Sequence, residues 1–487
     1  MKVKTIIVGT GFGGLATAIK LKLAGEQDFL LIERASGVGG VWRDNHYPGC
    51  ACDVQSHLYS FSFALKPDWS REFASQPEIH AYLNNCVDRF GIRNRIVFNA
   101  EVTRMGWQED TGEWLVTTTQ GNYRARFVAG AFGSLSDPDI PALRGLETFR
   151  GEVFHSATWN PAFRHAGKRA AVIGTGASAI QIVPAIQPEV SSLVLFQRTA
   201  PWVLPRHDEP ISARKQNLYR RSKLAMKWNR LKIYTKRELF VFGFRNPALM
   251  RRTQKTALAH LHGAISSPEL RAKLTPNYAL GCKRILISNT YYPALANENV
   301  EVVNAGVRQV TETGVVDATG TLREVDFIVF GTGFKTKEPP FASYIFDAKG
   351  ETLSSAWAGS PKAYMGTTIA GFPNLFLLHG PNTGLGHTSV IYMLEAQAEH
   401  IVKVIQLADR AGKRIIEPKR AAQAAFVDFL DSAMKGTVWT AGGCESWYLD
   451  KTGRNSSLWP SFTFTFAKRA RHVSEDAYAL RDARVPQ

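Results

Sequence analysis

Apolar residues in this chain form short continuous runs, each followed by a glycine-rich turn and then by apolar residues at helical spacing. The first run, Val3 to Val8, is typical of a strand buried on both faces, and a helix is predicted to begin at the end of the next turn. The stretch KRAAVIGTGASAIQIV, residues 168–183, repeats this order of strand, turn and helix. Two such units predict an α/β protein with two Rossmann-like dinucleotide-binding domains.

The first glycine turn has three glycines with separate physical roles. Gly9 permits a tight turn, Gly11 lets a pyrophosphate approach the backbone, and Gly14 lets the helix pack closely on the strand. The positive end of the helix then faces the phosphate charge. The following strand ends at Glu33, where a carboxylate can hold the hydroxyls of an unmodified ribose. This unit is therefore predicted to bind FAD.

The second unit carries Gly174, Gly176 and Ala179 in the corresponding places. Arg198 stands 24 positions after Gly174, just as Glu33 stands 24 positions after Gly9. A guanidinium group at this place can grip a 2′-phosphate in a fork of N–H donors, whereas a carboxylate would repel it. The second unit is therefore predicted to bind NADPH.

The remaining pattern interrupts these two domains. A helix is predicted from Glu78 to Phe90 and antiparallel strands between Ile96 and Val128, while a long helix begins at about Thr388 with His387 before it as a cap or packing residue. The C-terminal tail either lines a substrate pocket or covers the core. We divide the chain into an FAD-binding domain (1–148 and 336–487, including that tail), a linker (149–160) and an NADPH-binding domain (161–205 and 276–335) with a basic helical insertion (206–275).

Basic residues are concentrated in that insertion. The formal net charge is +17, and the segment from Ile211 to Lys255 contributes fourteen Lys or Arg residues against the single acid Glu238. Leucines recur among these bases, so the helices are expected to be amphipathic. Either this segment makes weak contact with an anionic membrane surface or an acidic partner, or it is a solvated subdomain that covers a substrate cavity. We expect no nucleic-acid partner.

Cysteine usage and the start of the chain bear on the compartment. Five cysteines are an odd number in a large chain, which favours reduced thiols over a disulfide framework. Cys50 and Cys52 follow the first glycine turn, but the single residue between them differs from the spacing of a redox pair, so we expect buried or incidental thiols. The first strand leaves no room for a signal peptide, and no apolar run would span a membrane. A cytoplasmic protein without a metal site is expected.

The segment between the two glycine turns has a characteristic pattern. Phe149, Gly151, His155 and Trp159 fit FxGxxxHxxxW, and in this the chain resembles the type I Baeyer–Villiger monooxygenases. The related flavin-containing N- and S-oxygenases usually have Tyr at the last position. The stretch GGVWRDNHYPGCACDVQSHLYSFSF also resembles the family's GG(T/V)W…YPG…D segment, and GCKR resembles its Lys–Arg pair. The resemblance thus covers nearly the whole chain.

The resemblance implies roles for particular residues. Arg284 is the implied active-site arginine and Asp53 its carboxylate partner, while Lys283 joins Arg198 at the 2′-phosphate of NADPH. His155 is implied to couple movements of the linker and the domains rather than to transfer protons. The further contacts implied for FAD are Phe12, Arg34, Gly40, Trp42, Asp53, Val102 and Asn382, and those implied for NADPH are Ser178, Thr199 and Arg284.

The resemblance also implies an activity. NADPH gives hydride to FAD, and the reduced flavin captures O2 as a C4a-peroxide that converts a small-molecule ketone into an ester or lactone. The peroxide must stay deprotonated, and Arg284 supplies a positive charge that is not lost, because arginine does not deprotonate in proteins. The alternative is an N- or S-oxygenating flavin-containing monooxygenase. A remote alternative is a non-catalytic nucleotide-binding protein that docks through its basic helices.

Overall fold

The computed structural model describes residues 1–483, in which strands and helices alternate as the apolar runs predict. The strands are β1 (Lys2–Val8), β2 (Phe29–Ile32), β3 (Ile96–Val97), β4 (Val102–Gln108), β5 (Glu113–Thr118), β6 (Gly121–Gly130), β7 (Glu152–His155), β8 (Arg169–Ile173), β9 (Ser192–Phe196), β10 (Val203–Leu204), β11 (Leu286–Ile287), β12 (Val300–Val303), β13 (Val307–Thr311), β14 (Gly314–Asp317), β15 (Leu322–Glu324), β16 (Phe327–Phe330), β17 (Ile345–Phe346), β18 (Thr368–Ile369), β19 (Phe372–Leu377), β20 (Ile415–Pro418) and β21 (Tyr478–Arg481). The α-helices are α1 (Phe12–Leu23), α2 (Val41–Asp44), α3 (Gln76–Arg89), α4 (Ala179–Ile186), α5 (Ala213–Arg221), α6 (Lys223–Glu238), α7 (Phe240–Arg245), α8 (Pro247–Ala264), α9 (Pro268–Leu274), α10 (Tyr291–Leu295), α11 (Leu353–Trp357), α12 (Val390–Arg410), α13 (Arg420–Met434), α14 (Val438–Ala441) and α15 (Thr463–Arg471). Short 3₁₀ helices lie at Arg93–Arg95, Leu146–Thr148, Ser156–Thr158, Pro340–Ser343 and Glu475–Ala477.

One sheet carries the first glycine turn. Its order is β17-β4-β5-β6-β1-β2-β3, with β19 beside β6 and β18 beside β19. Strand β1 runs parallel to β2 and β6, whereas β4, β5 and β6 form the antiparallel ladder that the alternating pattern predicts. The long helix α12 packs beside α1 at the face of this sheet, and their buried residues share one apolar cluster. The predicted Rossmann-like core is confirmed here.

The second nucleotide-binding sheet is wholly parallel, with the order β12-β9-β8-β16-β7. Strand β8 leads through the second glycine turn into α4, as expected. Strand β7 comes from the predicted linker and pairs with β16, because Phe154 fits into the apolar core below the sheet. Part of the linker is therefore an edge strand of the second sheet.

The predicted helical insertion is confirmed as the five helices α5 to α9. Helix α6 lies against the first domain, where Arg230 Nη1 donates a hydrogen bond to the carbonyl oxygen of His57 over 2.8 Å. No helix within residues 1–483 is long and apolar enough to cross a membrane.

The expectation that all cysteines are reduced is wrong. Cys282 and Cys444 form a disulfide whose Cα atoms are 6.2 Å apart, although 162 positions separate them in sequence. Spacing could not reveal this pair, because the two cysteines belong to segments that only the tertiary fold brings together. Cys50, Cys52 and Cys86 are free, and burial raises the pKa of the Cys50 thiol to about 12. These three thiols agree with the predicted unreactive cysteines.

Candidate active site

The first glycine turn has the shape that a bound pyrophosphate requires. A Cβ atom on Gly14 would lie 1.9 Å from the carbonyl oxygen of Gly9, so only glycine lets α1 approach the turn this closely. Above Gly11, by contrast, the nearest atom to an added Cβ would be the Gly40 Cα at 3.8 Å. That distance is an ordinary van der Waals contact, so Gly11 is less crowded than Gly14, and helix α1 begins at the next residue. An anion placed there would meet the N-terminus of α1, so the turn fits FAD.

Glu33 lies at the end of β2 beside this turn, and its side chain is buried. One carboxylate oxygen accepts hydrogen bonds from Thr10 N over 3.0 Å and Thr10 Oγ1 over 2.6 Å. The other accepts from Ala35 N and from Arg43 Nη1, each over 3.0 Å. Donors from both sides therefore hold the carboxylate in place beside the turn. The contribution of Arg43 was not predicted.

Other predicted FAD contacts surround the turn. The Phe12 ring meets Tyr59 edge-on at 5.3 Å, and Trp42 Nε1 donates to Tyr59 Oη over 3.1 Å. Arg34 is exposed and pairs with an acid through its Nη1, 3.3 Å from the Asp137 carboxylate. Gly40 is the residue before α2, and Val102 is the buried first residue of β4.

Asn382 is the predicted FAD contact whose side chain has other partners. Its Nδ2 donates to the carbonyl oxygens of Asn455 over 2.7 Å and Leu458 over 3.1 Å. Its Oδ1 accepts from Arg454 Nη2 over 2.9 Å, and its N–H donates to the carbonyl oxygen of Ser456 over 2.8 Å. The side chain thus fixes the C-terminal segment.

The second glycine turn leads directly into helix α4. Ala179 is the first residue of α4 and Ser178 the residue before it, while Thr175 Oγ1 donates to the carbonyl oxygen of Thr199 over 3.2 Å. Gly174 has a φ of +107°, and Gly176 is exposed. The N-terminus of α4 is therefore open to an anion, as it is at the first turn.

Arg198 and Lys283 lie close together beyond this turn. Burial lowers the pKa of Lys283, and the positive charge of Arg198 lowers it further. Two cations that repel each other are stabilised when an anion lies between them. The pair suits the 2′-phosphate of NADPH, a role predicted for Arg198 from its residue type and spacing and for Lys283 from the family resemblance.

Asp53 and Arg284 form the ion pair that the resemblance implies. Arg284 donates to the same carboxylate oxygen, Asp53 Oδ2, from Nε over 3.0 Å and from Nη2 over 2.6 Å. Burial alone would raise the pKa of Asp53, but the charges of Arg284 and Arg237 lower it below its ordinary value. The charge of Asp53 in turn raises the pKa of Arg284. Both groups are therefore charged at neutral pH.

Arg237, at the end of α6, is a site residue that the sequence analysis missed. Its Nη2 donates to the carbonyl oxygen of Asp53 over 3.0 Å, and its Nε donates to Gln55 Oε1 over 2.8 Å. Its Nη1 reaches the carbonyl oxygen of His387 at 3.4 Å. The guanidinium thus joins the basic insertion to two loops of the first domain. No periodicity signal distinguishes it from the neighbouring bases.

A cavity of about 70 Å³ lies between these groups. Thr388 Oγ1 lines it and is buried without a hydrogen-bond partner among residues 1–483. A buried hydroxyl without a partner is costly, so a bound ligand would satisfy it. The residues that line the cavity include Asp53, Arg237, Phe240, Arg284, His387 and Thr388.

His387 is a packing residue in this structure, as predicted. Its Nε2 lies 3.1 Å from Glu238 Oε1, and the same carboxylate accepts from the N–H and the hydroxyl of Thr463 over 2.8 Å each. Ser389 caps α12 by accepting a bond from Ile391 N over 3.3 Å. The helix therefore begins next to the cavity, with its backbone N–H groups directed toward it.

The motif between the domains contacts both of them. His155 Nδ1 accepts from Ala157 N over 3.1 Å, so its other nitrogen, 2.9 Å from the carbonyl oxygen of Gly333, carries the proton. Burial lowers the pKa of His155, which keeps the ring neutral. The carbonyl oxygen of Trp159 accepts from His46 Nε2 over 2.9 Å in the first domain.

The glycine and the aromatic residues of the motif fit closely against the second sheet. A Cβ on Gly151 would lie 2.1 Å from the carbonyl oxygen of Asp326 and 2.6 Å from the Phe149 ring. Trp159 is buried beside Phe154, with ring centroids 5.3 Å apart. A larger residue at position 151 would push β7 away from β16.

Comparison with known proteins agrees with this geometry. The family model described as pyridine nucleotide-disulphide oxidoreductase matches residues 6–240. A Baeyer–Villiger monooxygenase of Pseudomonas aeruginosa is 48% identical over 98% of this chain and 91% of its own. The crystal structure of cyclohexanone monooxygenase from Rhodococcus sp. Phi1 bound to NADP+ has a TM-score of 0.89 at 30% identity and covers 99% of this chain and 100% of that one. The OTEMO complex with FAD and NADP has a TM-score of 0.89 at 26% identity, over 98% and 99% of the two chains.

Proposed function

Because the chain belongs to the type I Baeyer–Villiger monooxygenases, we propose that Arg284 and Asp53 are its catalytic residues. The protein is an FAD-containing, NADPH-dependent oxidoreductase that inserts one oxygen atom next to a ketone carbonyl to give an ester or lactone. The alternative, N- or S-oxygenation, is not favoured, since relatives that are 47% and 48% identical carry the Baeyer–Villiger name.

The observation that carries the catalytic proposal is the Asp53–Arg284 pair at the wall of the cavity. Bound FAD, reduced by NADPH, supplies the activation of O2, of which one atom passes to the ketone and the other leaves as water. Arg284 uses Nε and Nη2 to bind Asp53, and no acceptor among residues 1–483 takes a bond from its Nη1. That N–H group is free to donate to the ketone oxygen. Negative charge that develops there is stabilised by a cation that needs no reorganisation.

Asp53 orients the guanidinium and keeps it charged. A bidentate contact to one carboxylate oxygen fixes the plane of the arginine. Arg237 holds the Asp53 backbone from the other side, so neither partner swings freely. Phe240, Leu385 and Thr388 line the same cavity.

The experiment is turnover of a panel of linear, cyclic and aryl ketones, with one amine and one sulfide, by the FAD-loaded enzyme and its Arg284→Ala variant. We expect ester or lactone from the parent and a loss of at least about 100-fold in the variant, the range seen when a charge-stabilising donor is removed. Arg308→Ala, at an exposed position on β13, is the matched control. Ester formation at the parental rate by Arg284→Ala would contradict the proposed role.

We further propose how the two cofactors are held. The FAD contacts are Gly9, Gly11, Phe12, Gly14, Glu33, Arg34, Gly40, Trp42, Asp53, Val102 and Asn382. The NADPH contacts are Gly174, Gly176, Ser178, Ala179, Arg198, Thr199, Lys283 and Arg284. The start of α1 directly after Gly11 and the proximity of the cations Arg198 and Lys283 support this assignment.

The division of the chain into an FAD-binding and an NADPH-binding domain is proposed with the same bounds as the sequence predicts. Phe149, Gly151, His155 and Trp159 are proposed to couple the two domains. Their support is the pair of contacts from the motif, one to Gly333 in the second domain and one to His46 in the first.

The reactants are small molecules, as NADP and ε-caprolactone are in the solved relatives. We propose that O2 and a ketone are the co-substrates of NADPH, and that the enzyme works in the cytoplasm, where NADPH is supplied. We also propose that residues 211–255 make weak contact with an anionic membrane surface, which their excess of positive charge supports.

A further inference from the structure

Helix α6 has one side that packs on the rest of the protein. Met226 is buried on this side, and Arg230 donates to the carbonyl oxygens of His57 and Leu58 over 2.8 and 3.1 Å. Arg237 binds the active-site loops. These contacts hold α6 in the fold, and none of them involves the outer side of the helix.

The outer side of α6 nevertheless carries large apolar residues. Leu224 is 78% exposed, Trp228 59% and Leu231 49%. They stand at positions i, i+4 and i+7, which places them in one stripe along the helix. Leu239, directly after the helix, is also exposed. A scattered exposed leucine is ordinary, but a stripe on the side away from the core indicates a second contact.

Lysines flank the stripe on both sides. At about 100° per residue, Lys223 and Lys227 lie on one side of the Leu224–Trp228–Leu231 line, and Lys232 and Lys236 lie on the other. All four are exposed, and Lys232 Nζ is 5.6 Å from the Trp228 ring centre. Long lysine side chains can extend away from an apolar surface to reach charged groups beside it.

The apolar surface continues past the end of α6. Phe242 is exposed on α7 and meets Phe462 edge-on at 5.3 Å, and Phe462 stacks on the exposed Phe464 at 5.2 Å. Two separate parts of the chain thus contribute aromatic rings to the same side of the molecule. We call the set Leu224, Trp228, Leu231, Leu239, Phe242 and Phe464 the outer stripe.

Charge around the outer stripe is of one sign. Glu238, the only acid between residues 211 and 255, is buried and bonded to Thr463. Within residues 1–483, Lys215 and Arg220 have acidic partners, at 3.9 and 3.5 Å. The exposed bases of this segment without an acidic partner in that range are Arg214, Arg221, Lys223, Lys227, Lys232, Lys236, Arg245, Arg251, Arg252 and Lys255.

We infer that the outer stripe inserts into the headgroup region of a bilayer that contains anionic lipid, a contact that rests on and deepens the proposed membrane contact of residues 211–255. Leucine and aromatic side chains enter the boundary between headgroups and acyl chains, while flanking lysines bind lipid phosphates. If a second copy of the chain docked on the outer stripe, the positive charges of the two copies would face each other and repel. A second copy is therefore a poor partner for this surface.

The inserted helix is also part of the active site. Arg237 on α6 and Phe240 just after it line the substrate cavity. A ketone dissolved in the lipid would therefore meet the same element that binds the membrane. The stripe residues themselves lie outside that cavity, so they can be changed without altering the catalytic groups.

The test is sedimentation of the full-length, FAD-loaded enzyme with vesicles of phosphatidylcholine alone or with about 30% phosphatidylglycerol, at low and high salt. The stripe variant carries Leu224→Gln, Trp228→Gln and Leu231→Gln. Its matched control carries Leu135→Gln, Ile140→Gln and Leu322→Gln, three exposed apolar residues elsewhere. We expect the parent and the control to bind the anionic vesicles, and the stripe variant to bind at least tenfold more weakly with unchanged ketone turnover in solution.

Failure of insertion can be distinguished from failure of the proposed membrane contact and of the enzymatic function. If the stripe variant binds the anionic vesicles as tightly as the parent, and high salt abolishes the binding of both proteins, the contact is only electrostatic. Insertion of the outer stripe is then overturned. If the parent does not bind anionic vesicles, insertion and the proposed membrane contact both fail, while ketone turnover still reports the enzymatic function. A parent that elutes as a dimer, becomes monomeric through the stripe substitutions and ignores vesicles would identify a second copy as the occupant and overturn the inference.

Discussion

His400 is a buried residue whose protonation opposes folding. Its Nδ1 donates to the carbonyl oxygen of Ala470 over 2.6 Å, so its Nε2 accepts from Tyr478 Oη over 2.8 Å. Burial lowers the pKa of His400 to about 4, below the value of about 6.5 in an unfolded chain. Since the unfolded chain takes up the proton first, this stability is fully present above about pH 6.5 and is lost as the pH falls toward 4.

We predict that His400→Gln flattens the acid side of the stability profile. One such histidine accounts for about 2 kcal/mol of the stability lost between pH 7 and pH 5, and glutamine takes up no proton in this range. Denaturant midpoints at several pH values measure the difference. His472→Gln, at an exposed position, is the control and should keep the parental slope. An equally steep slope in His400→Gln would show that other groups cause the acid loss.

Arg198 is predicted to select between the two nicotinamide cofactors. Arg198→Ala removes one of the two cations proposed for the 2′-phosphate and leaves Lys283 alone. We expect the Michaelis constant for NADPH to rise on the order of tenfold or more, the effect of losing one charge-assisted contact, while that for NADH changes little. Steady-state oxidation of both cofactors measures this, and an equal rise for both would contradict a phosphate contact.

The position of an individual residue can be predicted from the sequence where its spacing within one strand–turn–helix unit decides that position. Glu33 and Arg198 follow from a fixed distance to a glycine turn, because strand, turn and helix impose that distance. The Asp53–Arg284 pair joins residues 231 positions apart, and the resemblance supplied it rather than any local pattern. Arg237 was missed because only tertiary packing separates it from the other bases of α6.

Among the elements, the motif segment differs most from its prediction. A linker was expected, yet Glu152 to His155 form strand β7 at the edge of the second sheet. Four residues are too few for a periodic signal, and the pairing depends on β16, which comes much later in the chain. Longer elements, such as α1, α3 and α12, were predictable because their apolar spacing is repeated over several turns.

His155 is predicted to act through this element. His155→Ala removes the bond to the Gly333 carbonyl oxygen and the cap on Ala157, so β7 loses its tie to the turn after β16. We expect flavin reduction by NADPH to slow on the order of tenfold, because hydride transfer depends on the relative position of the domains. Stopped-flow absorbance of the flavin measures this step.

Two outcomes bear on that role. The pH dependence of the reduction rate should stay unchanged in His155→Ala, since a neutral ring that positions the strand transfers no proton. His262→Ala, exposed on α8, should reduce at the parental rate. The coupling role would be contradicted if flavin reduction in His155→Ala gained a new pH dependence, or if it proceeded at the parental rate.

On the scale of the whole molecule, polar contacts besides the Asp53–Arg284 pair join the two domains. Tyr47 Oη donates to Gln181 Oε1 over 2.9 Å, and Gln181 Nε2 donates back to the carbonyl oxygen of Ala51 over 3.0 Å. The disulfide adds a covalent tie, because Cys282 precedes Lys283 in the second domain and Cys444 belongs to the C-terminal part of the first. A covalent bond that no local sequence pattern indicates therefore joins segments 162 positions apart.

Thiol counting tests that bond. Denatured protein without reductant should show three reactive thiols, those of Cys50, Cys52 and Cys86, and five after reduction. The folded protein should react slowly at pH 8, because burial raises the pKa of the Cys50 thiol to about 12 and that of Cys86 to about 11. Five thiols in unreduced, denatured protein would mean that Cys282 and Cys444 are not joined.

If the bond is present, its loss should destabilise the molecule as a whole. A disulfide that closes so long a loop restricts the unfolded chain, and its removal typically costs about 2–5 kcal/mol. The double variant Cys282→Ser/Cys444→Ser should therefore unfold several degrees lower, as flavin fluorescence on heating would report. Reductant should lower the parental midpoint to that of the variant and leave the variant unchanged. A variant that still responds to reductant would trace the effect to another site, since within residues 1–483 this disulfide is the one bond that reductant can break.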